Sequence, residues 1–482
     1  MNILMVTSET VPFSKSGGLA DVVGALSSAL AQLNNKVSIL MPAYEFIDLK
    51  SFSKPIVTFE IKINNQLETV KIIEKDLGGV KYLALIHPVF SQRLGIYGDN
   101  SFTPYADNFS RYTLLAKAAL PLCKALNFKV DIIHAHDWTV GFIPYLLKQS
   151  KEEFFKKTKS IFTIHNLAYQ GTYSKFDALS ANIPLDEKMF SGNTVEKQVN
   201  MLKTGIEFSD YVTTVSPTYA KEIQTKELGC NLEEVLKERK NDLFGIINGI
   251  DYDEWNPETD SNFLNHFNLK DFSGKVKLKA EIQKEFGLKV DPDIPLFSMI
   301  SRLAEQKGFF ELLFENEECA LETILRNNKV QFIIIGTGDQ RIVDKLKELD
   351  AKYNNLSINI LFSNKAAHKV EGGSDFFLMP SRYEPCGLNQ LYSLRYGTLP
   401  VARKTGGLAD TILDINEHPE KGTGFLFSDM NSHAIIEIIE KAISLYYSDK
   451  VKIKKMKIQS MQTDFTWDKS AKQYIEIYHR EI

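Results

Sequence analysis

The sequence predicts an α/β protein built from two doubly wound parallel sheets that face a central cleft. Three observations predict it. Short β-branched runs recur along the 482 residues, each followed by a longer helix-like segment, the alternation that covers both faces of a parallel sheet with helices. The segment GIINGIDYDEWNP, 245–257, carries Asn-Gly and then Pro257, and it interrupts regular structure between two such series. One phrase also stands near both ends, KSGGLAD at 15–21 and KTGGLAD at 404–410, each time between a strand and a helix.

The first domain is expected over 1–245. Its strands are NILMVTS (2–8), KVSILM (36–41), DIIHAH (131–136), SIFTIH (160–165) and YVTTVS (211–216). The loop SETVPFSKSGG joins the first of them to the helix LADVVGALSSALAQL. The region 52–86 alternates more, with VTFEIKI and VKIIEK as hairpin strands, and reads as an insertion. The second domain, 246–460, restarts with an amphipathic helix at 275–287. Its strands are IPLFSMIS (294–301), VQFIIIG (330–336), FFLMPS (376–381) and LPVAR (399–403), the last followed by the helix LADTILDI. A final helix, about 461–482, can pack back on the first domain. Ligands of open α/β sheets bind beyond the carboxyl ends of the strands. Two facing Rossmann-like domains would therefore bring both Lys-Gly-Gly turns to one cleft.

Composition narrows the function. The apolar fraction is 44%, the charged fraction 24% and the net charge −4, which points neither to nucleic acid nor to an anionic membrane surface. The apolar N-terminal run is too short for a signal peptide and lacks a basic start, and no stretch approaches a membrane span of about 20 apolar residues. Cys123, Cys230, Cys319 and Cys386 are scattered, as in a reducing compartment. The expected setting is the cytoplasm.

Several strand ends carry polar clusters. In both Lys-Gly-Gly phrases the paired glycines either form a tight turn before a helix or let N–H groups converge on a phosphate or sugar oxygen, with Lys15 or Lys404 adding charge. SRLAEQKG, 301–308, puts Arg302 and Lys307 beyond a strand, suiting a diphosphate; a solvated basic turn is the alternative. GTGD, 336–339, places Gly336 at another strand end, but Arg341 occupies the third glycine position of a dinucleotide fingerprint. SRYEPCGLNQ, 381–390, presents Glu384 on a loop before a helix. That carboxylate either holds sugar hydroxyls or offsets positive charge at an anomeric carbon, or is an exposed loop acid. Cys386 reads as a buried small residue, not a nucleophile. HAHDW, 134–138, lacks the further ligands of a zinc site, while Asp137 and Trp138 suit a sugar. IHN (164–166) and YGD (97–99) offer similar groups. DYD (251–253) and DPD (291–293) read as turns, so no metal is expected.

Taken together, these phrases resemble the bacterial glycogen synthases and plant starch synthases that use ADP-glucose, which are retaining glucosyltransferases of the GT-B fold. The resemblance runs over essentially the whole chain: SETVPFSKSGGLADVVGAL, HAHDW, IHNLAYQG, YVTTVSPTYAKEI, INGID, SRLAEQKG and MPSRYEPCGLNQLYSLRYGTLPVARKTGGLADT. It implies transfer of glucose from ADP-glucose to the non-reducing end of an α-1,4-glucan with retained configuration, without metal or other cofactor. It further implies that Lys15, Gly18, Arg302 and Lys307 hold the donor diphosphate. Glu384 would be the essential acid beside the donor glucose, with His165 and Asn166 completing that site. The Gly406-Gly407 turn, with Thr405, would approach the phosphates; Glu9, Tyr97 and Asp137 would lie toward the acceptor. Asp21, Gly336, Cys386, Gly387 and Leu388 fall in the same loops and complete the candidate substrate-binding set. Many GT-B enzymes carry a second Glu eight positions after the first; here Tyr392 stands there. Segment 362–375 departs from the family phrasing, with Phe362 as the candidate ring on adenine. A related transferase using UDP-glucose or another acceptor is the competing reading. An oxidoreductase lacks its glycine fingerprint, and a silent glucan-binding homologue would have lost Glu384, Lys15 or Arg302. A homo-oligomer is compatible with all of this.

Overall fold

The computed structural model describes residues 1–99, 103–192, 197–315, 319–361 and 363–480. The chain forms two compact units: Met1–Gly249 together with Trp467–Ile482, and Ile250–Thr466.

The first unit contains, among the described residues, a nine-stranded sheet. Its centre is Asn2–Val6, whose residues 3–6 are fully buried because both faces are covered. On one side lie Lys36–Pro42, Val80–Ile86, Gln66–Leu77 and Val57–Ile63. On the other lie Ile132–His136, Lys159–Ile164, Tyr211–Thr214 and Leu243–Gly245. Strand order therefore reverses beside Asn2–Val6, and the loops after Val6 and His136 flank the switch point. The hairpin expected in the region 52–86 forms and belongs to this sheet. Val80–Ile86 runs parallel to Lys36–Pro42, and the hairpin Val57–Ile63/Gln66–Leu77 extends the same sheet antiparallel through a turn at Asn64-Asn65, both with positive φ. The helix Gly18–Gln32 packs against the helix Trp467–Tyr478. That last helix buries Trp467, Tyr474 and Tyr478, and its Ser470 hydroxyl donates to the Ile247 carbonyl at 2.6 Å.

The second unit contains, among the described residues, a six-stranded parallel sheet in the order Leu356–Asn359, Gln331–Ile335, Leu296–Ile300, Phe376–Met379, Leu399–Arg403, Phe425–Phe427. Phe297 sits in register with Phe332 and Phe376, and the three rings stack with centroids 5.1 and 4.6 Å apart, forming an aromatic ladder across the central strands. Order reverses between Leu296–Ile300 and Phe376–Met379, so the loops after Ile300 and Met379 flank this unit's switch point.

Two helices differ from expectation. The segment LADTILDI is helical only to Thr411, because Leu413 and Ile415 take backbone bonds from the 423–424 segment instead. The helix Ser273–Glu285 is not simply amphipathic, since its buried face carries Lys275 and Lys279 with their ammonium groups bonded inside the unit.

Gly308 fixes the crossing of the two switch-point loops. Its φ is +81°, and a Cβ there would stand 2.0 Å from the Pro380 carbonyl oxygen. Gly308→Ala is expected to cost about 1–3 kcal/mol from backbone conformation alone, with the clash adding to it. A lower midpoint of denaturant unfolding would register the loss; an unchanged midpoint would contradict it.

Candidate active site

In the second unit the site is built where two loops leave adjacent strands. A short 3-10 turn, Glu305–Lys307, carries the Lys307 ammonium to 2.5 Å from Glu384 Oε2, and the Ser381 hydroxyl donates to the same oxygen at 3.0 Å. Glu384 is 7% exposed, so its charge is held by this cation and hydroxyl more than by water. Arg302 is exposed on the same loop, with Nη2 3.5 Å from Gln306 Oε1. Gln306 in turn donates to the Tyr383 carbonyl, and Asn389 donates to the Ile300 carbonyl at 2.8 Å, tying both loops together. Arg382 braces them from behind, bonded to Glu305 and Glu311.

The glycines of the second Lys-Thr-Gly-Gly turn have a packing cause. A Cβ on Gly406 would stand 2.0 Å from the Glu384 carbonyl oxygen, and one on Gly407 would stand 2.1 Å from that of Cys386. The Gly407 N–H donates to the Glu384 and Pro385 carbonyls at 3.1 Å. The turn thus carries the Glu384 loop. Thr405 is buried beside it, and Lys404 pairs with Glu417. Gly336 is required in the same way, its absent Cβ falling 2.0 Å from the Ser301 carbonyl. Cys386 is buried, and its carbonyl accepts from Gln390; Gly387 has φ +72°, and Leu388 precedes the helix Asn389–Arg395. Tyr392 stacks on Trp255 at 3.5 Å with ring planes 5° apart. Phe362 lies outside the described residues.

In the first unit the loop after Val6 folds around a carboxylate. Glu9, buried, accepts from the backbone N–H of Ser16 and Gly17, from the Ser16 hydroxyl and from Tyr97 Oη at 3.0 Å. Burial raises its pKa while these bonds oppose the rise. Tyr97 is also bonded to Ser8. Glu9 therefore shapes the turn that bears Lys15, whose ammonium meets Asp21 at 2.7 Å on the surface. Gly17 differs from Gly406, its counterpart in the second phrase, because nothing stands within 4 Å of its absent Cβ. Gly18 begins the long helix beside that open space.

Asp137, with φ +62°, ends the strand Ile132–His136 and accepts the His165 N–H at 2.8 Å. Burial pushes Asp137 up to about 7, against the backbone bonds of His165 and Asn166. Enclosure pushes His165 down to about 3, so the ring is neutral, and its Nε2 lies 3.1 Å from His136 Nδ1. Behind it His134 joins Tyr478 Oη at 2.8 Å to Thr163 Oγ1 at 2.5 Å. Asn166 turns its own loop by accepting the Ala168 N–H. Ser381 and Tyr478 are not among the residues the sequence points to. Ser381 stands three residues before Glu384, where a hydroxyl–carboxylate spacing was readable; Tyr478 meets a histidine 344 positions away and left no local signal.

Known proteins bear on this arrangement. A starch synthase catalytic domain model matches residues 2–238, and a glycosyl transferases group 1 model matches 280–459. A glycogen synthase of Treponema denticola is 40% identical over 99% of this chain and 98% of its own, and one of Geotalea daltonii is 41% identical with the same coverage. Among solved structures, the catalytic domain of starch synthase IV from Arabidopsis thaliana, bound to ADP and acarbose, superposes with a TM-score of 0.88 at 30% identity, covering 99% of this chain and 98% of that one.

Proposed function

The chain belongs to the glycogen and starch synthase family, and from that premise we propose how its residues carry the transfer. It is a glycosyltransferase with glycogen (starch) synthase function, acting with a nucleotide-sugar donor and a glucan acceptor. The finer reading is that ADP-glucose gives its glucose, with retention, to the non-reducing end of an α-1,4-glucan. The observation that carries it is the contact of the half-buried Lys307 with buried Glu384 and Ser381 beside Arg302, at the carboxyl ends of the second unit's central strands.

The chemistry follows from where charge grows. As the bond from the anomeric carbon to the diphosphate breaks, negative charge builds on the departing phosphate oxygens. Arg302 presents a fork of donors to them. Lys307 has three N–H bonds, so it can keep Glu384 while meeting a phosphate oxygen. Glu384 supplies negative charge beside the sugar as its carbon becomes cationic. In the first unit, Lys15 and the open backbone at Gly17 and Gly18 serve the diphosphate. His165 and Asn166, held by Asp137, serve the donor glucose. Glu9 and Tyr97 act by shaping the Lys15 turn and the acceptor side.

Asp137 gives this proposal a pH signature. Its ionised form accepts the His165 N–H more strongly than the neutral acid does and holds that loop more firmly, so transfer rises as pH climbs through about 7. Because the folded carboxyl holds its proton more tightly than the unfolded one, the stability it contributes is present at low pH and lost toward pH 7. A pH–rate profile should show this rising limb, and Asp137→Asn should be slower and flat there. A limb that persists in the variant belongs to another group.

The direct test offers labelled ADP-glucose and UDP-glucose in turn, with glycogen, and measures label in the polymer. ADP-glucose is expected to have the larger kcat/KM. Equal or reversed preference would overturn the donor assignment, and no incorporation from either would overturn the reaction.

A further inference from the structure

The second unit holds a cleft of about 300 Å³ at the edge of its sheet opposite the Glu384 loop. Asp375 marks that edge, because it precedes the strand Phe376–Met379 at whose far end the Glu384 loop begins. Two helices wall the cleft, Ser273–Glu285 and Lys450–Gln462. They line it with five amines: Lys275, Lys279, Lys450, Lys454 and Lys457. Only two carboxylates line it, Asp293 and Asp375.

The bonding leaves this excess of positive charge in place. Asp375 is spent on Lys279 and Lys457, each at 2.7 Å, and on the Leu296 N–H. Burial opposes its ionisation, yet the two ammonium groups hold its pKa well down. Lys275 is 4% exposed and bonds only neutral acceptors, the Gly372 carbonyl and the Thr398 hydroxyl, both at 2.7 Å. Burial, with Lys457 nearby, drives the Lys275 pKa well below that of a free lysine, so the excess of charge rests on Lys279, Lys450, Lys454 and Lys457, which face only Asp293 and Asp375. The neighbour of Lys275, Glu371, is buried with its pKa raised by that burial, which opposes the charge it could offer in return. At the mouth, Lys450 lies over the Tyr446 ring at 3.3 Å and Lys454 is exposed. Lys279 and Lys457 share the one carboxylate of Asp375, and a buried charge without a full counter-charge is costly.

We propose that this cleft is a binding site for a small phosphorylated anion, separate from the donor loops. A phosphate group can accept from several ammonium donors at once and supplies the charge that Asp293 and Asp375 leave unmet. The space is many times the roughly 30 Å³ of a water, room for a phosphate with a small substituent or a second phosphate. Phe272, Val276 and Ile453 give that substituent an apolar wall.

Calorimetric titration of the full chain tests this, with orthophosphate in one arm and pyrophosphate in the other at fixed ionic strength. The comparison is with Lys450→Gln/Lys454→Gln, whose side chains stand at the mouth on one helix and whose transfer rate should match wild type. A saturable site is expected in at least one arm, weakened about tenfold or more in the double variant. The arm that binds more tightly tells whether one phosphate or two fill the cleft. Two results would overturn the proposal: no saturable heat in either arm, or affinities unchanged by the double substitution, which would put the anion elsewhere.

Discussion

Glu384→Gln is expected to lower the rate of glucose transfer by about 10²–10³-fold, with little change in KM for the donor. The amide keeps the size of the side chain and can still accept from the Ser381 hydroxyl, 3.0 Å away in the wild type. What it loses is the charge opposite Lys307 and beside the reacting carbon. The loss is therefore specific to the transition state, where the sugar becomes cationic. Initial rates with saturating glycogen, paired with thermal unfolding to show an intact fold, would measure it. A variant as fast as the wild type would remove Glu384 from the chemistry.

Lys307→Met should have the second-largest effect, on stability as well as on rate. The side chain is 18% exposed and the side chain of its partner 9%, so its removal leaves a carboxylate largely covered and without its cation. Breaking such a pair costs about 3–5 kcal/mol when fully buried, and the partial exposure here puts the expected loss at the lower end. The transfer rate should fall by about 10²-fold or more as the leaving diphosphate loses a donor. The double variant Lys307→Met/Glu384→Gln separates the two consequences. With neither charge present it should regain much of the stability, while its rate stays as low as the worse single variant. Additive losses in stability would mean that the two groups do not interact as the 2.5 Å contact requires.

Much of the fold was legible because parallel strands buried on both faces are written as unbroken apolar runs. Leu399–Arg403 is one such run, coinciding with LPVAR. What was not legible has local causes. Phe425–Phe427 is only three residues long, and Leu356–Asn359, LSIN, alternates apolar with polar residues where the other parallel strands are unbroken apolar runs. The edge hairpin shows one face to solvent, so its alternation resembled an appended element, although Val80–Ile86 joins it to the central sheet. Lys275 and Lys279 look like the solvent face of a helix, and only the strand edge behind them shows why they are buried.

The candidate site divides in the same way. Arg302, Lys307 and Glu384 could be picked out because each follows an apolar strand, where ligand loops lie. The contrast between the two glycine turns was not readable. KSGG and KTGG are nearly identical, yet Gly17 opens on empty space while Gly406 and Gly407 lie against the backbone of the Glu384 loop. That difference depends on a segment about twenty residues away in sequence and on no residue of the phrase itself.

The fate of the transferred sugar decides whether glucose is added to non-reducing ends through α-1,4 bonds. Glycogen labelled by the protein from ADP-glucose is digested with an exo-acting β-amylase, which removes maltose from non-reducing ends and passes only α-1,4 bonds. The account predicts that most of the label is released early, as maltose. Label that resists digestion, or that appears as free glucose before any enters the polymer, would contradict it.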